Sequence, residues 1–98
     1  MTDYTRSLHR ASVYRDALLK WGAPTQTAKA IEELAELITV LSRIGTERED
    51  RDALVDEIAD AVIVCEQKAM THDEAMYGDV FVRIAAKVAR LKERVESG

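Results

Sequence analysis

The sequence predicts an all-α fold, a four-helix bundle-type domain spanning residues 1–98. Hydrophobic residues make up 47% of the chain while aromatic residues supply only 5%, and the dominant residues are Ala, Leu, Ile, Val, Glu and Arg, a mixture typical of helical domains. Apolar residues recur at the helical period through most of the length, and strand alternation with hairpin turns is missing.

A first helix is expected from about Asp3 to Trp21. Gly22-Ala23-Pro24 closes it, since glycine stops a helix and proline opens the next segment. The second helix is expected from Thr25 or Gln26 to Ile44, with Gly45 as its stop. Thr46-x-x-Glu49 then has the capping-box pattern, so a third helix should begin near Glu47 and carry Glu57 and Asp60. Its end is set by Thr71-His72-Asp73-Glu74: a break there, with Thr71 as a new cap, is favoured over continuation to Tyr77 and a stop at Gly78. The last helix is expected from about Asp79 to Val95, with Val80, Ile84, Val88, Leu91 and Val95 as its apolar stripe.

Whole-chain properties narrow the function classes. A 98-residue chain buries only about 60–70% of its extended surface on folding, which favours completion of the core by oligomerisation. The net charge of −4 argues against a general nucleic-acid-binding surface, which is normally basic. Cys65 stands alone in an apolar run and is expected as a small buried hydrophobe in a reducing compartment. Met1 to Arg10 is polar, and no apolar run approaches the roughly 20 residues that span a bilayer. A cytoplasmic protein that engages neither membrane nor nucleic acid is expected.

The chemistry lies in two acidic steps set in apolar helical sequence, Glu32-Glu33-x-x-Glu36 and Glu57-x-x-Asp60. On the second helix Ile31, Leu34, Ala35, Ile38 and Leu41 form an ordinary core stripe. Ala30, Leu37, Val40 and Ile44 form another on nearly the opposite side, with Glu33 in its middle and Glu36 at its edge, so burial on two sides is expected. The third helix repeats the arrangement. Leu54, Ile58, Val62, Cys65 and Ala69 share one face, while Glu57 and Asp60 share the other with Ala53, Ala61 and Val64. Unpaired carboxylates in such surroundings cost several kcal/mol or take up a proton, and basic partners are scarce nearby. Two such helices packed antiparallel would gather four or five carboxylates, whose repulsion a hard divalent cation relieves, Mg²⁺ first and Mn²⁺ as a substitute. A di-iron site is disfavoured because it needs Glu-x-x-His steps, and neither His9 nor His72 follows a glutamate by three.

Arg83, Lys87, Arg90 and Arg94 fall within roughly 60° of one another on the last helix. They are either a solvated face or, beside a metal cluster, donors to a triphosphate chain. Lys29, one turn before Glu33, is either a phosphate contact or that glutamate's intrahelical partner. Trp21 either stacks on a base or caps the core. Glycine-rich phosphate loops and nucleophile elbows are absent.

These residues resemble the MazG-like all-alpha nucleoside triphosphate pyrophosphohydrolases, whose signature is Glu-Glu-x-x-Glu, a spacer, then Glu-x-x-Asp. Lys20-Trp21-Gly22 with Gln26-x-x-Lys29 ahead of the acids, and the run from Lys87 to Arg94 behind them, are similar to small single-domain members, including phage-encoded ones. The resemblance covers most of residues 18 to 95. The stretch from Lys68 to Gly78 departs from it by being longer than the corresponding connection. The resemblance implies a MazG-like bundle that forms a homodimer or homotetramer and binds Mg²⁺ through Glu33, Glu36, Glu57 and Asp60. It would hydrolyse NTPs or dNTPs to the monophosphate and pyrophosphate, in a host cytoplasm if phage-encoded. Glu32 would assist the ligating carboxylates or simply face water. Phosphoribosyl-ATP pyrophosphohydrolase is a related alternative, ranked lower because Val62-Ile63-Val64 stands where histidine-bearing sequence is characteristic. A non-catalytic nucleotide-sensing or interaction bundle is the alternative of a different class.

Overall fold

A computed structural model describes residues 2–98, the side chain of Tyr4 excepted. Four helices, α1 (Asp3–Trp21), α2 (Ala23–Leu41), α3 (Arg51–His72) and α4 (Glu74–Ser97), form an all-α bundle without strands among the described residues. None of these helices is long and apolar enough to cross a membrane.

The helix ends follow from local hydrogen bonding. The Thr2 hydroxyl accepts from the Thr5 N–H and caps α1, and Gly22 ends it at φ +82°, a conformation that disfavours a side chain. Helix α2 begins earlier than expected, because Pro24 sits in its first turn where a missing N–H costs nothing. It also ends earlier, at Leu41, where Arg43 and Ile44 switch to i→i+3 bonds before Gly45 turns the chain at φ +84°. The expected capping box is spent within this turn. Thr46 Oγ1 donates to the Arg43 carbonyl, and Glu49 accepts from the Gly45 N–H. Asp50 therefore caps α3, accepting from Ala53 N–H at 3.1 Å. The break after α3 falls where expected, but Asp73 is the cap, through a bond from Met76 N–H. The Thr71 hydroxyl bonds back to Lys68 O, and α4 runs through Gly78 instead of starting after it.

Helices α2 and α3 form an antiparallel hairpin. Thr27 meets Lys68 at one end, Glu33 meets Asp60 in the middle, and Val40 lies near Leu54 at the other. Ala30, Ala61 and Val64 are buried in this seam, with Leu37 and Val40 half-buried. The acid-bearing faces are thus the ones that pair, as the small alanines allow close approach.

The second apolar faces are not covered within the chain, which corrects the expectation of an ordinary core stripe. Ile31 and Ile38 are each 67% exposed, and Leu34, Leu41, Ile58 and Val62 are also open. Among the described residues only α3 packs extensively on α2, so one of its two apolar strips has no neighbour there. Cys65 is likewise exposed, lining a groove with Leu37, Ile58, Val62, Phe81 and Ile84. Helix α4 packs through its first two turns, and Ile84, Val88, Leu91 and Val95 of its apolar stripe face outward. The accessible surface is 7427 Å², against roughly 5,600 Å² for a compact monomer of this mass. The radius of gyration is 15.9 Å, against roughly 13 Å for a compact chain of this length.

The cluster of buried apolar side chains lies at the far end of α3. Ala11 and Tyr14 of α1, Met70 of α3 and Tyr77 of α4 form the core, with Phe81 against it. Tyr77 stacks edge-on to Tyr14 and Phe81, at centroid distances of 6.1 and 5.1 Å. Glu66 is buried there, held by Arg10 Nε at 2.9 Å and by the Tyr14 hydroxyl at 2.9 Å. A second guanidinium bond reaches its other oxygen at 3.5 Å. This network fastens α1 to α3 and leaves the middle of α3 free to serve α2.

Candidate metal centre

Five carboxylates converge where α2 and α3 face each other. A three-residue step places Glu33 and Glu36 on neighbouring positions of one helix surface, and oxygens of Glu32, Glu33 and Glu36 lie within 4.8 Å of one another. Across the seam, oxygens of Glu33, Glu57 and Asp60 meet the same limit. Glu33 belongs to both groups and joins them. It is only 7% exposed, Glu57 and Asp60 are half-buried, and Glu32 and Glu36 are open.

Among the described residues one cation answers them. Lys29 Nζ stands 2.9 Å from Glu33 Oε1 and 3.8 Å from Glu32 Oε1. The bond from Lys29 holds the Glu33 carboxyl below the usual range and raises Lys29 in turn. Glu36 is pushed up, mainly by the Glu33 charge, with its own desolvation and the Glu57 charge adding to it. Glu57 Oε2 is sealed from solvent and has no hydrogen-bond partner among the described residues. Such an oxygen is destabilising unless a donor, a proton or a cation reaches it. The donor set is all carboxylate oxygen and converges from two helices, so these residues fit a hard divalent cation such as Mg²⁺ or Mn²⁺.

Beside the acids a cavity of about 520 Å³ opens, lined by Trp21, Gln26, Lys29, Glu33, Asp60 and Ile63 among others. That size falls in the range of small-molecule sites. Trp21 is 56% exposed, with Lys20 Nζ 5.2 Å from its ring centroid, so the indole forms a wall of the cavity and does not plug the core. Of the sequence-derived site residues, Glu33, Glu36, Glu57, Asp60, Lys29 and Trp21 are therefore gathered in one place. Glu32, which the helical wheel angles away from its neighbours, still joins the cluster, its carboxylate lying 3.8 Å from Lys29 Nζ and within 4.8 Å of oxygens of Glu33 and Glu36. Arg83, Lys87, Arg90 and Arg94 are exposed on α4 and line no part of this cavity. Within one chain they are not brought to the cavity, because α4 docks along the other face of α3, where Val80, Phe81 and Ile84 share a groove with Ile58, Val62 and Cys65.

Gln26, Ile63, Val64 and Gln67 also line the cavity, and sequence reasoning gave them no role. A signal existed: Gln26 lies four residues before Ala30 and seven before Glu33, hence on the same face. Comparison with models of known families, with curated proteins and with solved structures returned no match to this chain.

Proposed function

We propose that this protein is a Mg²⁺-dependent, MazG-like nucleoside triphosphate pyrophosphohydrolase, converting an NTP or dNTP and water to the monophosphate and pyrophosphate. The observation that carries the reading is the sealed, partnerless Glu57 oxygen inside a group of carboxylates that opens onto a ligand-sized cavity. A merely solvated acidic face would not leave an oxygen in that state.

Glu33, Glu36, Glu57 and Asp60 would hold the cation, with Mn²⁺ as a substitute. Bound there, it would neutralise phosphate oxygens and make the α-phosphorus more electrophilic. The remaining work belongs to the chain. The water oxygen attacks the α-phosphorus in line, the bond to the α–β bridging oxygen breaks, and pyrophosphate leaves with that electron pair. The carboxylate least engaged with the cation takes the water's proton. Lys29 would exchange Glu33 for a phosphate oxygen, and Trp21 would stack on the base.

Arg83, Lys87, Arg90 and Arg94 would then serve a neighbouring protomer, gripping the β- and γ-phosphates of a substrate held by another chain. Support for a homodimer or homotetramer comes from the uncovered apolar faces of α2, α3 and α4 and from the excess accessible surface.

The test is a panel of NTPs and dNTPs with Mg²⁺, scoring pyrophosphate against orthophosphate. Pyrophosphate is the expected product, and its release should vanish in a double variant with Glu36→Ala and Asp60→Ala. Orthophosphate as sole product would overturn the proposed bond cleavage. Magnesium-dependent thermal stabilisation without turnover would point instead to a nucleotide sensor.

A further inference from the structure

Gln26 is 7% exposed, and its side-chain amide makes no hydrogen bond to any described residue. The other buried charged or polar side chains, Glu33 and Glu66, are both paired. The Gln26 amide atoms are nevertheless not sealed from solvent, Glu57 Oε2 alone being so among the unpaired side-chain atoms of the described residues. Gln26 lines the 520 Å³ cavity, so its small residual exposure belongs there, and what the amide meets is whatever enters.

We propose that Gln26 reads the edge of a nucleobase seated in this cavity. An amide presents one donor and one acceptor side by side, the pattern that nucleobase edges complement. A phosphate or carboxylate ligand would call for cations at this position, and a purely apolar ligand would call for no amide. The placement along the helices agrees. Gln26 lies seven residues from Glu33 on α2, and Gln67 lies seven from Asp60 on α3. Because the helices are antiparallel, the two amides stand together about 10 Å along the axis from the acids, leaving room for a ribose between a phosphate at the carboxylates and a base at the amides. Trp21, Ile63 and Val64 supply apolar surface for the ring faces. Gln67 is half-buried, also without a side-chain hydrogen bond to a described residue, and forms the opposite wall.

This assignment rests on reading the acids as a triphosphate site, and the experiment separates the two. Binding of α,β-methylene nucleoside triphosphates, which resist cleavage of the α–β bond, is measured calorimetrically with Mg²⁺ for wild type, Gln26→Leu and Gln26→Glu. Inorganic triphosphate is the ligand without a base. In Gln26→Leu the best-bound nucleotide should weaken by about tenfold to a hundredfold, the ranking among bases should collapse, and inorganic triphosphate should bind as before. Gln26→Glu, which keeps the length but offers acceptors only, should shift the ranking toward bases that present donors. An unchanged base ranking in either folded variant overturns the assignment and leaves the hydrolase reading standing. Wild type that binds nucleosides through Gln26 yet turns over no triphosphate upholds it, while the hydrolase reading fails.

Discussion

Helix α3 carries two groups of inward-facing acids, and they are treated in opposite ways. Glu66 receives three bonds, two from Arg10 and one from the Tyr14 hydroxyl, and sits among interlocked aromatic rings. Six and nine residues earlier, Asp60 and Glu57 face further carboxylates, and an oxygen of Glu57 has no partner among the described residues. The fold is able to neutralise a buried acid on this helix, and does so where the acid is structural. Where it does not, a cation would supply the missing charge under the proposed function.

The comparison is tested first by deleting one acid from each group. Glu66→Ala strands the Arg10 guanidinium and the Tyr14 hydroxyl and should cost about 2–4 kcal/mol of stability in denaturant melts. Asp60→Ala should leave the metal-free protein as stable as wild type or more so, because like charges are separated. Equal losses in both variants would erase the distinction. Arg10→Ala comes next, at about 1–3 kcal/mol, discounted because the guanidinium is partly open to solvent. Its response to Mg²⁺ in a thermal-shift assay should remain intact.

Tyr14→Phe is smaller, at about 1 kcal/mol near neutral pH, and carries a pH signature. Burial, reinforced by the hydrogen bond to Glu66, pushes the Tyr14 phenol well above its ordinary value of 10.0. Folding therefore favours the protonated hydroxyl. Its contribution is fully present below pH 10 and is lost as pH rises through the folded-state value. The stability difference between wild type and Tyr14→Phe should accordingly shrink in alkaline denaturant melts. A difference that is constant or grows above pH 10 would contradict the bond.

Legibility from sequence divides along the same line. The helical period, the glycine stops and the two acidic steps announce four helices and a carboxylate cluster, because both signals depend on spacing within one helix. Helix ends were less legible: Thr46 and Glu49 match a capping box but bond within a turn, and Asp50 takes the cap. Ile31 and Ile38 read as core from the sequence because periodicity identifies an apolar face without saying what covers it. Glu66 gave little local signal, since its partners lie more than fifty residues away on α1. The separation of the α4 basic stripe from the acids was hidden for the same reason, being decided by where α4 docks and not by its own spacing.

The central claim is that the Glu33, Glu36, Glu57 and Asp60 cluster is a cation site, with Glu57 as its most exacting member. Calorimetric titration of Mn²⁺ into wild type and Glu57→Gln tests it most directly, with melting temperatures read in parallel. Saturable binding that raises the melting temperature of wild type, and is lost in a folded Glu57→Gln protein, is the predicted result. Absence of saturable binding to wild type, or equal binding by both proteins, would contradict it.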